Sequence, residues 1–140
     1  MIFNNRHYPK FFPKGCPPAQ AEQKKVKVYR LVEKENITQK DFKSYVELGN
    51  KFNPTRNPKY GEYALSVNTN YDELCNSVKS VPYLKKRFKY IATGQTYICT
   101  GVVCHDKSKN QPSHHDWWLY EEALPHKYFK IVSKTGGDLP

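Results

Sequence analysis

Two histidines, a carboxylate and two indoles stand together as His114, His115, Asp116, Trp117 and Trp118. Imidazole titrates near neutral pH, and indole stacks on flat ligands. The cluster therefore predicts a polar site with an aromatic wall, suited to a base or a nicotinamide. In a strand, His114, Asp116 and Trp118 share one face, and the other two residues share the opposite face. The alternative is an edge strand with one buried Trp and solvated histidines.

Thiol and imidazole side chains that precede this cluster in the sequence are candidate ligands for zinc. The candidates are Cys99, Cys104 and His105, together with the two histidines of the cluster. Zinc accepts both ligand types, but the chain has no CxxC pair and the spacing is irregular. Cys99 and Cys104 have opposite parity along a strand, so they meet at one ion only if Gly101 forms a bulge. We expect buried, inert cysteines, no metal and no cofactor.

A basic run lies in the middle of the chain. No acid occurs between residues 79 and 89, and Tyr83, Phe88 and Tyr90 are interleaved with the basic side chains Lys79, Lys85, Lys86, Arg87 and Lys89. Basic residues can follow a phosphate backbone while aromatic rings stack on bases. The run predicts a binding surface, with Trp117 and Trp118 beside it. The alternative is a solvated turn between a helix and a strand.

The charge of the whole chain agrees with an acidic partner. Lys and Arg number 23 against 13 Asp and Glu, which gives a formal net charge of +10. Such a balance favours nucleic acid or an acidic protein face. No signal-peptide core or long apolar run occurs, so we expect a cytoplasmic protein with reduced thiols and no membrane contact.

The elements that must position these residues are predicted from periodicity and from Gly, Pro and capping signals. Strands are expected at 26–32, 62–67, 87–93, 96–105, 114–120 and 127–133, with helices at 39–48 and after the N-cap Asn70. Glu73 is in the capping-box position of the second helix, Pro82 limits its length, and loops are expected at 49–61 and 106–113. Because strands crowd the second half, we expect an α+β fold. It should contain a mainly antiparallel sheet of about five to six strands and two short helices. The predicted divisions are an arm packing on the domain at 1–25, one domain at 26–134 and a frayed tail at 135–140.

Several short phrases carry a family resemblance. They are Cys16-Pro17-Pro18, Tyr29-Arg30-Leu31-Val32, Asp41-Phe42-x-Ser44, Leu65-Ser66-Val67 and Ser113-His114-His115-x-Trp117-Trp118. In this order they resemble a group of small bacterial proteins with no assigned activity. The resemblance implies a bacterial protein with a single domain.

A second likeness is to folds of the ADP-ribosyltransferase type. In those folds an early strand carries an Arg or His for NAD, a later strand a Ser or aromatic residue, and a late strand the catalytic Glu. Arg30, Ser66 and Glu121 or Glu122 occur here in that order. The likeness implies a nucleotide or NAD-type ligand.

Three functions are compatible with these patterns. The leading one is a binding or accessory protein for nucleic acid or an acidic protein partner. The second is an enzyme or sensor for a nucleotide or NAD-type ligand. There Arg30 would clamp phosphate, His114 or His115 would act as acid or base, and Glu121 or Glu122 would stabilise positive charge. The third is a component of a bacterial defence or toxin–antitoxin system.

Overall fold

One six-stranded antiparallel sheet forms the body of the protein. The structure, a computed structural model, describes residues 7–49, 60–105 and 111–135. The strands are β1 (Lys27–Val32), β2 (Leu65–Asn68), β3 (Tyr90–Gln95), β4 (Gly101–His105), β5 (His114–Leu119) and β6 (Lys130–Lys134). Their order across the sheet is β4-β5-β2-β1-β3-β6.

Two α-helices follow β2 directly, α1 (Tyr71–Ser80) and α2 (Pro82–Arg87). As predicted, Asn70 caps α1, because its side chain accepts a hydrogen bond from the Glu73 backbone N–H. Together with the antiparallel sheet, these helices confirm the predicted α+β fold. In the part of the chain that the structure describes, no helix has the length and apolarity needed to cross a membrane.

Only one of the two helices was predicted: α1 was expected after Asn70, whereas α2 was not. The expected helix at 39–48 is a single 3-10 turn, Gln39–Phe42. Ser44 interrupts it, because its side chain accepts from the Glu47 N–H at 3.3 Å while Glu47 accepts from the Ser44 N–H at 3.0 Å. Such local side-chain bonds compete with a continuous helix.

The starts of four strands, β2, β3, β4 and β6, also differ from the prediction by three residues or more. Pro82 stops α1 as expected but begins α2, since proline is tolerated in the first helical turn. Arg87 therefore ends a helix, and β3 starts only at Tyr90. A turn between Tyr97 and Thr100 delays β4, and a 3-10 turn at Gly61–Tyr63 delays β2. The predicted loops at 49–61 and 106–113 and both chain ends lie partly outside the described residues.

Apolar side chains pack on both faces of the sheet. The larger core contains Val28, Val32, Phe42, Leu65, Val67, Ala92, Val103, Trp117 and Phe129. A second core on the opposite face surrounds Trp118 and contains Ala64, Val102 and Tyr120. The alternation predicted for β5 thus places its two indoles in different cores.

The N-terminal segment covers the second core and one edge of the sheet. The rings of Tyr8 and Tyr120 lie 5.3 Å apart, and Phe12 and Cys16 also pack against this core. Glu22 forms a two-way backbone bridge with Val103, at 2.9 and 2.8 Å, which covers the β4 edge. At Val103 the backbone groups of this edge are therefore not free to pair with another chain.

A gap opens in the middle of the sheet between β1 and β2. These strands are paired at Tyr29 and Asn68, whereas β1 and β3 are paired along six positions from Lys27 to Val32. The segment after Phe42 turns into the gap, where the Val46 N–H donates to the Glu62 carbonyl at 3.3 Å. The gap forms the floor of a broad cleft.

Candidate functional site: a basic cleft between β1 and β2

The cleft lies between the two helices and the segment that follows β1. Its volume is about 680 Å³, within the range typical of small-molecule sites. The helices contribute Leu74, Ser77, Leu84, Arg87 and Phe88, and the floor includes Tyr29, Arg30, Leu31, Ser66 and Asn68. The remaining side is lined by Glu33, Lys34, Asn36, Thr38, Lys40, Asp41, Lys43, Ser44, Tyr45 and Leu48.

Arg30 crosses the gap in the sheet. Its Nε donates to the Asp41 carbonyl at 2.9 Å, and its Nη1 donates to the Ser66 carbonyl at 2.8 Å. The guanidinium carbon lies 5.6 Å from the centre of the Phe42 ring. Arg30 therefore ties β1 both to β2 and to the 3-10 turn, in a place where ladder hydrogen bonds are missing.

The Arg30 guanidinium is desolvated even though part of it faces the cleft. Burial lowers its pKa to about 10, and nearby Tyr45 and Asp41 oppose this change. The side chain stays protonated at neutral pH. Among the described residues no carboxylate oxygen comes within 4.0 Å of it. The floor of the cleft thus carries a positive charge with no carboxylate in direct contact, and Asp41 acts on it only from a greater distance.

A polar network closes the end of the cleft near His114. The Asn68 amide nitrogen donates to Gln111 Oε1 at 3.0 Å and to Ser113 Oγ at 3.3 Å. Ser113 gives both its N–H and its hydroxyl to Glu73 Oε1, at 2.7 and 2.8 Å. Glu73, expected from the sequence to complete a capping box, instead ties α1 to the start of β5. His114 and Gln111 both line the cleft beside this network.

Arg87 closes another part of the wall. Its Nε donates to Glu33 Oε2 at 3.2 Å, and its Nη1 donates to the Tyr83 hydroxyl at 2.9 Å. The guanidinium also lies over the Phe88 ring, 4.8 Å from its centre. This residue of the predicted basic run is thus largely used in holding α2 against the end of β1.

The other members of the basic run are exposed. Lys79, Lys85, Lys86 and Lys89 project from the helices and from the segment before β3. Tyr83, on the same helix as Lys85 and Lys86, is 60% exposed. This accessible surface borders the cleft and fits both the predicted binding surface and its alternative, a solvated turn.

The indoles lie elsewhere than expected. Trp117 and Trp118 are both 0% exposed. Trp118 Nε1 donates to the Tyr60 carbonyl at 3.1 Å, and the Trp117 ring packs on Phe129 at 6.0 Å. In this structure neither ring can stack on a ligand, so we leave both out of the candidate binding surface.

The two adjacent histidines point to different places, as the strand alternation requires. His114 lines the cleft, whereas the His115 ring stacks on that of His105 with 4.6 Å between centres. His115 Nδ1 also lies 2.9 Å from the Ser113 carbonyl. Burial is the main cause that lowers the pKa of His115, and the neighbouring His105 adds to it.

The sulfur and imidazole groups do not converge on one point. Cys99 lies in the turn before β4, while Cys104 and His105 are neighbours on β4 and face opposite sides. The four cysteines are free thiols, but Cys99 is exposed and the other three are only partly buried, so the expectation of buried cysteines is wrong. Across residues 7–49, 60–105 and 111–135, no three His, Cys, Asp or Glu side chains are placed to share a metal ion.

The acidic pair of the transferase likeness is remote from Arg30 and Ser66. Glu121 and Glu122 are exposed and follow the end of β5 opposite His114, and the two ends of this strand lie roughly 16 Å apart. The Glu121 N–H donates to the His7 carbonyl at 2.7 Å. The structure brings Arg30, Ser66 and His114 into one cleft but leaves both glutamates outside it.

Sequence reasoning missed much of the cleft wall. Lys34, Lys40 and Lys43 line it, as does Tyr45, whose side chain is 40% exposed. The sequence does show these three lysines within a stretch of ten residues, which could have indicated a basic surface. Their shared position on the wall of one cleft could not be predicted, because the chain between them does not form the expected helix. Comparison with known protein families, curated proteins and solved structures finds no match to this chain, so the family resemblance stays a prediction.

Proposed function

We propose that the protein binds single-stranded nucleic acid along α2 and the mouth of the cleft. The observation that carries the proposal is the arrangement of exposed Lys85 and Lys86 beside exposed Tyr83, on a helix that borders a cleft lined with further lysines. Lysines supply the salt-sensitive attraction to phosphates, and an exposed ring supplies a stacking surface.

The charge of the cleft lining supports an anionic ligand. Five basic side chains, Arg30, Lys34, Lys40, Lys43 and Arg87, face two acids, Glu33 and Asp41. Glu33 is paired with Arg87, and Asp41 Oδ2 accepts from the Thr38 N–H at 2.8 Å. Lys43 is also paired, with Glu47 at 4.0 Å, but the lining keeps an excess of basic groups, and this excess favours phosphate.

A single strand fits this surface better than a duplex. The two exposed rings near the lysines, Tyr83 and Tyr45, need unpaired bases if they are to stack. Helix α2, Pro82–Arg87, has only six residues, and its basic residues lie in the last turn beside the cleft. It is therefore not a long protruding helix of the kind that enters the groove of a duplex. An acidic protein face would use the lysines but would leave the rings without a specific role.

The test is fluorescence anisotropy with a labelled single-stranded oligonucleotide at several salt concentrations. Affinity should fall steeply with salt, with a slope of about 0.7 for each neutralised phosphate. The double variant Lys85→Ala/Lys86→Ala should lower that slope by about 1.4 if both lysines contact phosphate. The matched control is Lys10→Ala/Lys14→Ala, which removes two exposed charges from the N-terminal segment.

Three results would count against the proposal. These are affinity that does not change with salt, equal losses in the two double variants, and stronger binding to polyglutamate than to the oligonucleotide. The last result would identify an acidic protein as the partner. Circular dichroism of each variant checks that the fold is kept.

A further inference from the structure

The strongest unexplained feature of the cleft is the charge of Arg30. Two of its N–H groups are satisfied by backbone carbonyls, which accept hydrogen bonds but carry no full negative charge. A cation withdrawn from water without a counter-ion is costly, and such groups are normally paired. In the described residues no carboxylate oxygen lies within 4.0 Å of the guanidinium, Asp41 acts on its charge only from a greater distance, and Arg30 lines an open cleft. An anionic ligand would supply what is missing.

The chemistry around Arg30 selects the kind of anion. Lys34, Lys40 and Lys43 line the same cleft, so more than one negative charge can be balanced there. Exposed Ser66 adds a hydroxyl next to the carbonyl that Arg30 holds, and His114 adds an imidazole. A phosphate group, with its several acceptor oxygens and up to two charges, fits this set better than a single carboxylate.

The volume and lining of the cleft exceed what phosphate alone would fill. About 680 Å³ leaves room for a sugar and a base beside the anion. The exposed ring of Tyr45 belongs to the same wall and lies close enough to raise the pKa of Arg30. A base stacked on Tyr45 would therefore lie within a nucleotide's length of the guanidinium.

We infer that the cleft binds one nucleoside phosphate, with the phosphate at Arg30 and the base against Tyr45. The inference rests on the proposed function in one respect, because the same ligand chemistry is found at the end of a nucleic-acid strand. A terminal phosphate of a strand and a free mononucleotide are the two sources. The binding is reversible and involves no bond formation.

The experiment compares oligonucleotides of one sequence that carry a 5′-phosphate, a 3′-phosphate or only hydroxyl ends, together with AMP and inorganic phosphate. Affinities are measured by anisotropy and calorimetry at fixed salt. A strand whose terminal phosphate reaches Arg30 should bind about tenfold more tightly than the hydroxyl strand. AMP should compete with the terminal phosphate, and inorganic phosphate should compete more weakly.

Substitutions distinguish binding in the cleft from binding on the outer surface of α2. Tyr45→Leu should remove most of the preference for the phosphorylated end, whereas Tyr83→Leu, whose ring does not line the cleft, should weaken all strands equally. Arg30→Lys keeps the charge but loses the planar fork, and should cut AMP affinity about tenfold. Ser66→Ala, at an exposed position, serves as a second cleft variant if Arg30→Lys fails to fold.

The outcomes distinguish this inference from the proposed function. If all strands bind within twofold of each other and AMP does not bind, the inference is overturned, while salt-sensitive binding through Lys85 and Lys86 would still stand. If AMP binds in a way that depends on Arg30 and Tyr45 but no strand binds, the inference holds for a free nucleotide and the proposed function fails. A preference for the phosphorylated end that Tyr45→Leu does not change would also overturn the inference.

Discussion

Arg30 Nη1 donates a hydrogen bond to the Ser66 carbonyl oxygen at 2.8 Å, across the gap where β1 and β2 separate. A side chain thus makes a link between these two strands that backbone pairing makes elsewhere in the sheet. The gap exposes the guanidinium to the cleft, so one residue serves both the sheet and the candidate site. Substitutions at Arg30 must therefore be analysed for stability as well as for binding.

We expect Arg30→Ala to lower the free energy of unfolding by about 1–3 kcal/mol, because it leaves the Asp41 and Ser66 carbonyls without their donor. Urea denaturation followed by circular dichroism measures the change. Lys34→Ala is the control, since its side chain lines the same cleft but is not among the donors to these two carbonyls in the described part of the chain. Equal stability of Arg30→Ala and the wild type would show that the link across the gap contributes nothing.

The two buried indoles offer a matched pair of substitutions. Trp118 Nε1 donates to the Tyr60 carbonyl, whereas Trp117 Nε1 has no hydrogen-bond partner in the described part of the chain. Trp→Phe removes a similar volume at either site. We expect Trp118→Phe to be the more destabilising by about 1 kcal/mol, measured by urea denaturation. A larger loss for Trp117→Phe would mean that packing around the larger core outweighs this hydrogen bond.

His115 should make stability depend on pH. Burial lowers its pKa in the folded protein below the ordinary value of 6.5. As pH falls through about 6.5 the unfolded chain takes up a proton that the folded chain resists, so the free energy of unfolding decreases down to the folded pKa. His115→Gln should flatten this part of the curve between pH 7 and 5. Exposed His7→Gln is the control, and parallel curves for His115→Gln and wild type would refute the assignment.

How far the sequence predicts this protein depends on the range of the interactions involved. The cap at Asn70 and the extended β5 were correctly predicted, because capping and alternation are local. The prediction of a helix after Thr38 was wrong, because Ser44 and Glu47 hydrogen-bond to each other's backbone N–H groups and interrupt the helical pattern. The burial of Trp117 and Trp118 depends on residues from distant segments, which strand alternation does not reveal.

The same difference between local patterns and long-range contacts explains why the cleft was not predicted from the sequence. Arg30 and Ser66 were chosen as separate residues, and their contact depends on a sheet order in which β1 lies beside β2. The cleft also needs that pair of strands to diverge and the segment after Phe42 to fill only part of the opening. Neither feature has a sequence signal of its own. Glu73 is an example of a recognised local pattern with a different outcome. The sequence places it in a capping box, but its carboxylate accepts from Ser113, which lies 40 residues away along the chain.

The N-cap of α1 provides a last prediction. Asn70 Oδ1 accepts from the Glu73 N–H at 2.9 Å, and replacing such a cap with Ala costs about 1 kcal/mol. Asn70→Ala should lower the free energy of unfolding by that amount, measured by urea denaturation. Asn76→Ala, at an exposed position inside the same helix, should be neutral or slightly stabilising because Ala has the higher helix propensity. Because α1 also holds Glu73 against Ser113, a loss well above 1 kcal/mol would mean that the cap supports the end of the cleft as well. A loss no greater than that of Asn76→Ala would show that the cap is dispensable.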